Sequence, residues 1–238
     1  MDHTTLTYPA QTLSDQLGTC RAPILIDVCV PEDIAADPWR LPGAVHVAHT
    51  ALRDWMDAQR HQGPVVVICQ KGLKLSHGAA SILRAHGYAA WALEDGNAGW
   101  RAASHPRLDL GRAPVPGTPW VLPAPRNAVS ALAAWLIRRW FDPNATLLWV
   151  PAQHVADVAP RFDATACDTL LPWTDQCARL GLDCPKVPAF LDHCTNALAN
   201  QLDALSFLHK TEQDWTAAAL TVVDAAWVAS GATRKDAA

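Results

Sequence analysis

No apolar run in this chain approaches the roughly eighteen residues needed to cross a bilayer, so no membrane-spanning helix is expected. A charged, apolar, small-residue leader is missing too, and export is not expected. CxxC pairs are wanting: the seven cysteines (20, 29, 69, 167, 177, 184 and 194) are odd in number and scattered. That usage fits reduced thiols in the cytoplasm better than a disulfide framework or a structural zinc site, and no metal or cofactor is called for. Nor is there an excess of basic residues. The net charge of −4 argues against nucleic acid or an anionic membrane as a partner. Internal repeats and low-complexity tracts are also lacking. Hydrophobic residues are plentiful, at half of the composition, and the eleven tryptophans are expected mainly in cores and domain contacts.

The first half alternates short apolar runs with helix-like stretches. Strands are expected at Ile24–Val28, Val45–Ala48, Val65–Cys69 and Ala89–Leu93. Helices are expected over Thr50–His61, with Trp55 and Met56 on an apolar face, and over Leu75–His86. Alternation of this kind predicts an α/β fold, a parallel sheet flanked by helices. Cys69 then lies at the carboxyl end of a buried strand, where open α/β sheets place their ligands. It opens the polar loop Gln70-Lys71-Gly72-Leu73-Lys74, which leads into a helix N-terminus whose unpaired N–H groups favour an anion. Lys71 and Lys74 add positive charge that favours a thiolate. A buried cysteine that merely ends a core strand is the plainer reading.

This loop and its surroundings resemble the rhodanese family of sulfurtransferases. Ile24-Leu25-Ile26-Asp27-Val28 is similar to the family strand that ends in aspartate, and Leu41-Pro42-Gly43-Ala44-Val45-His46-Val47 to its PGA segment. Cys69-Gln70-Lys71-Gly72-Leu73-Lys74 resembles the six-residue active-site loop, and Leu93-Glu94-Asp95-Gly96-Asn97-Ala98-Gly99-Trp100 the closing segment. The resemblance spans roughly residues 8 to 105. It implies that Cys69 carries a persulfide, that Gln70, Lys71, Gly72, Leu73 and Lys74 bind the substrate, and that thiosulfate or a similar small anion is the donor. The acceptor is an unidentified thiophile. Lys74 stands where an arginine is common, keeping the charge and losing the bidentate fork. Related phosphatases have a loop one residue longer ending in arginine, so the shorter loop here disfavours phosphate transfer.

Other polar residues carry weaker expectations. Asp27 either holds backbone N–H groups behind the loop or caps the next segment. Cys29 stands where the family frequently has an arginine and reads as a structural thiol, with a resolving role as the alternative. His46, His49, His77 and His86 fall near the loops of the first half, but a thiolate favoured by lysines needs no general base. Cys167, Cys177, Cys184, His193 and Cys194 lack paired ligand spacing and read as core residues.

Three segments are expected: a first domain over residues 1–110, a proline-rich linker over 111–126 with a short strand at Trp120-Val121-Leu122, and a mainly α-helical domain over 127–238. In the last, Ala128–Phe141, Gln153–Ala159, Val187–Leu208 and Thr211–Ser230 read as helices and Ala145–Val150 as a strand. Residues 231–236 read as a frayed tail. Trp135–Ala145 followed by Leu147-Leu148-Trp149-Val150-Pro151 resembles the C-terminal domain of the chromate-resistance protein B family. Val129-Ser130 and Ala133-Ala134 replace that family's polar and thiol positions. Arg138-Arg139 is expected on a solvated face. This second resemblance implies a rival function, a chromate- or oxidant-responsive regulatory or interaction protein with a rhodanese-like sensor.

Overall fold

Short apolar runs of the first half become seven strands: β1 (Thr7–Tyr8), β2 (Ile24–Asp27), β3 (Trp39–Arg40), β4 (Val45–His46), β5 (Val65–Ile68), β6 (Ala90–Leu93) and β7 (Arg107–Asp109). The computed structural model describes residues 6–58 and 63–231. Five of these strands form one sheet in the order β1-β6-β5-β2-β4, every neighbouring pair parallel. β3 and β7 pair antiparallel with each other, outside that sheet. Helices α1 (Ala10–Ser14), α2 (Pro31–Ala36), α3 (Leu52–Ala58), α4 (Lys74–Ala85) and α5 (Gly96–Ala102) connect them.

β5 explains the arrangement. All four of its residues are buried, because the central strand of a parallel sheet is covered on both faces. Ile26, Val28, Val65 and Val67 pack with Ala79, Ala80 and Leu83 of α4 in one core cluster. The ladder stops at Ile68, one residue short of the expected end, so Cys69 leaves the strand and joins the loop. α4 starts at Lys74, one residue earlier than expected. The helix expected over Thr50–His61 is a 3-10 turn at His49–Ala51 followed by α3, and Gln59–His61 lie outside the described residues.

The chain divides into two compact units, and the second takes Arg112 onward together with Gly18–Cys20. It is largely helical: α6 (Ala128–Leu136), α7 (Val155–Val158), α8 (Trp173–Arg179), α9 (Lys186–Ala197), α10 (Ala199–Leu208) and α11 (Glu212–Ala229). It also has a small parallel sheet in the order β10-β8-β9, made of β8 (Trp120–Ala124), β9 (Leu147–Pro151) and β10 (Thr165–Ala166). Residues 120–124, inside the stretch expected as linker, are therefore the middle strand of that sheet. Pro123 is tolerated there because β10 pairs only with Trp120 and Val121, leaving the proline a neighbour on one side. The helix expected over Val187–Leu208 is two, broken at Leu198.

Trp135, Trp140, Trp227 and Phe190 pack ring against ring in the core of this unit, with centroids 5.0–6.2 Å apart. Beside them is a buried carboxylate. Asp224 accepts hydrogen bonds from Trp135 Nε1, from Nε and Nη2 of Arg139, and from the backbone N–H of Cys20, each at 2.9 Å. Arg139 is thus an internal partner and not a solvated charge. It sits in a π-helical turn, Ile137–Phe141, that continues from the end of α6 and buries Ile137, Trp140 and Phe141, and a charge held beside such a core must be paired. Arg138 donates from Nη2 to the Ala145 carbonyl at 2.8 Å. Among the described residues no helix is long and apolar enough to cross a membrane.

Candidate active site

Cys69 is the first residue beyond β5 and is 5% exposed. Its loop bends back because two helices meet it. α4 begins at Lys74, and its third residue, Ser76, points back over the loop, since helical Cα–Cβ bonds tilt toward the N-terminus. Ser76 Oγ lies 3.1 Å from Cys69 Sγ and is itself fully buried. α5 meets the loop from the other side: the N–H groups of Asn97 and Ala98 donate to the carbonyls of Cys69 and Gln70 at 3.0 Å each. These are first-turn donors without intrahelical acceptors, so the loop satisfies the helix while the helix shapes the loop.

Two glycines make this approach possible. Gly72 has φ +63°, and a Cβ there would stand 2.6 Å from the Gly96 nitrogen and 2.8 Å from both the Asp95 nitrogen and the Leu93 oxygen. Gly96 has φ +56°, and its Cβ would collide with the Cys69 carbonyl oxygen and the Gly72 nitrogen. Both positions combine a left-handed backbone with contact against main chain, which only glycine meets without strain.

The remaining loop residues divide by exposure. Lys71, Leu73 and Lys74 are exposed, Leu73 at 59%. The Gln70 amide donates to Asp37 Oδ2 at 3.3 Å, and the same oxygen takes an ion pair from Arg101 at 2.8 Å. Asp27 is buried and acts two residues on, its Oδ1 accepting the Cys29 N–H at 2.9 Å. Burial, the Asp27 charge and a hydrogen bond to that carboxylate push the Cys29 thiol far above the ordinary cysteine range. Asn97 Nδ2 donates to its sulfur at 3.4 Å. Cys29 is therefore held as a thiol, the opposite of what a resolving nucleophile requires.

Sequence reasoning missed Ser76, Asn97, Asp37 and Arg101. Ser76 had one available clue, a hydroxyl in the first turn of the helix that follows the cysteine loop. The other three reach the loop only through tertiary contact. None of His46, His49, His77 or His86 is hydrogen-bonded to Cys69; the His77 backbone N–H instead donates to the Leu73 carbonyl at 3.1 Å. In the second unit burial pushes the thiols of Cys167 and Cys177 up to about 12 and those of Cys184 and Cys194 up to about 11, so they stay protonated near neutrality.

The Ser76 hydroxyl also donates to the Leu73 carbonyl at 3.2 Å. With one proton to give, it accepts from a Cys69 thiol in that orientation and turns to donate to a thiolate. Leu73 O keeps the His77 N–H when it turns, so nothing is left unpaired. Ser76→Ala is accordingly expected to slow chemistry at Cys69 on the order of tenfold while leaving the fold unchanged. Alkylation rates and a urea midpoint measured on the same variant check both halves.

Residues 9–103 match a protein-family model described as a rhodanese-like domain. Similar solved structures include a thiosulfate sulfurtransferase from Pseudomonas aeruginosa, at 25% identity and TM-score 0.37 over 43% of this chain and 19% of that one. A rhodanese-like domain protein from Staphylococcus aureus aligns at 20% identity and TM-score 0.36, over 40% of this chain and 91% of that one. A rhodanese-related protein from Thermoplasma volcanium aligns at 19% identity and TM-score 0.38, over 44% and 98%. No curated protein matches the chain.

Proposed function

We propose that the rhodanese-like domain of residues 9–103 is a sulfurtransferase that carries sulfane sulfur on Cys69, with thiosulfate or a similar small anion as donor. The observation that carries this reading is the Cys69 sulfur itself. It lies beyond the carboxyl end of the central strand, 3.1 Å from a buried hydroxyl, in a loop that leads into α4. The Cys69 thiolate attacks the outer sulfur of thiosulfate, forming a Cys69 S–S bond as the donor's S–S bond breaks and sulfite departs with the electron pair. The charge then rests on the terminal sulfur, where N–H groups at a helix N-terminus stabilise it. A thiophilic acceptor takes that sulfur and restores the thiolate. No proton has to be relayed, which fits a site without a histidine on the cysteine. The loop from Cys69 to Lys74 also lacks the arginine fork that phosphoryl transfer favours.

Incubating the intact chain with thiosulfate tests the reading. A mass gain of one sulfur atom is expected, reversed by cyanide with release of thiocyanate. No gain, or oxyanion binding without turnover, overturns it and favours a regulatory role instead.

Lys71 and Lys74, exposed beside the loop, are proposed to draw in the anionic donor. Replacing both with Gln is expected to raise the thiosulfate KM roughly threefold to tenfold, an effect that shrinks at high salt because exposed charges are screened. Steady-state kinetics at low and high ionic strength check it; a KM that does not move assigns donor binding to the backbone alone.

A further inference from the structure

The second unit carries a concave site of its own. At the carboxyl ends of β8 and β9, where open parallel sheets hold their ligands, a cavity of about 320 Å³ is lined by Ala124, Pro125, Arg126, Trp149, Ser206 and Glu212. That volume lies near the lower end of the range for small-molecule pockets. Arg126 follows β8 and is held from two directions. The Ser206 hydroxyl donates to its carbonyl at 3.1 Å, and its guanidinium lies over the Trp215 ring, 5.6 Å from the centroid.

Stacking of this kind engages the face of a guanidinium and leaves its N–H edge to be satisfied. In Arg126 one N–H group of that edge lacks a protein acceptor. Nη1 is buried and has no hydrogen-bond partner among the described residues, and neither does Nε1 of the fully buried Trp215 beneath it. Buried donors ordinarily find an acceptor. The rest of the lining limits what that acceptor is. Trp149, packed edge-on against Trp215 with centroids 5.5 Å apart, together with Pro125 and Ala124, offers an apolar wall. Glu212 places a carboxylate on the rim, which repels a second negative group.

The geometry points to a binding site for a small organic monoanion: a carboxylate received by Arg126, with a flat apolar body against Trp149 and Pro125. A polyanion is opposed by Glu212, and a bare inorganic oxyanion leaves the apolar wall unused. The site stands independently of the Cys69 chemistry.

Benzoate is a suitable probe, titrated into the full chain and followed by calorimetry and tryptophan fluorescence. Saturable one-to-one binding is expected. Arg126→Gln should weaken it about tenfold or more, through loss of a charge-assisted pair. Benzamide, of the same shape and uncharged, should bind at least tenfold more weakly, as should sulfate at equal ionic strength. Arg126→Gln also disturbs the contact with Trp215, so Glu212→Gln, on the exposed rim, supplies the second arm: it should tighten benzoate roughly twofold to threefold. The proposal is overturned if benzoate does not saturate, if Arg126→Gln binds it as well as the native chain, if sulfate or benzamide matches it, or if folded Glu212→Gln binds it no tighter.

Discussion

Cys69→Ser is expected to abolish persulfide formation and cyanide-dependent thiocyanate release while leaving the fold nearly intact. The loss should be complete because an alcohol at neutral pH supplies no anion comparable to a thiolate, and an oxygen cannot hold a transferable sulfane sulfur. Stability should change little, since serine is close to cysteine in size and the Ser76 hydroxyl, 3.1 Å away, still has a partner. Five of the six other cysteines are not expected to replace it. Burial keeps Cys29, Cys167, Cys177, Cys184 and Cys194 as thiols, and Cys20, which is exposed, is the site that peptide mapping has to exclude. Intact-mass analysis after thiosulfate treatment, with peptide mapping of the native chain, decides the matter. Sulfur retained in the variant would place the carrier elsewhere.

Gly96→Ala is expected to damage both stability and activity, although residue 96 is distant in sequence from the cysteine. The added methyl meets the Cys69 carbonyl oxygen and the Gly72 nitrogen, main-chain atoms that no rotamer change moves aside. The left-handed φ of +56° adds a further penalty of about 1–2 kcal/mol for a residue with a Cβ. The loop must then retreat, and the N–H groups of Asn97 and Ala98 lose the Cys69 and Gln70 carbonyls. A total on the order of 3–5 kcal/mol follows from overpacking, strain and two lost hydrogen bonds together. Urea midpoints at constant m-value measure it. Persulfide formation should fall by at least a hundredfold, roughly what 3 kcal/mol of misplacement represents. A variant with native midpoint and native turnover would mean that α5 does not shape the loop. Ala at Gly78, whose Cβ would meet no heavy atom within 4 Å, serves as the control.

Periodicity alone placed β5, Cys69 and α4 to within a residue, because a four-residue apolar run before a polar, glycine-containing loop has few other uses. The parallel sheet follows equally locally, from alternation of strand and helix. Boundaries shifted where hydrogen bonding overrode pattern: Cys69 fell out of the ladder, and Leu198 divides a stretch with continuous helical character. The strand at Trp120-Val121-Leu122 was visible as an apolar run, but its central place in a sheet was not, since pairing depends on β9 and β10 far along the chain. For the same reason Arg139 read as a surface charge when seen only against its neighbours.

Tertiary structure alone decided what surrounds the sulfur. Ser76 reaches it because a helix turns its side chains back toward its own start, Gly96 because α5 docks its first turn on the loop, and Asp37 because it meets Gln70 from another segment altogether. Local sequence determines which dihedrals and faces a segment prefers. Which distant atoms satisfy its remaining donors and acceptors is settled only when the segments pack, and in this chain both the Cys69 loop and Arg126 are defined by that second step.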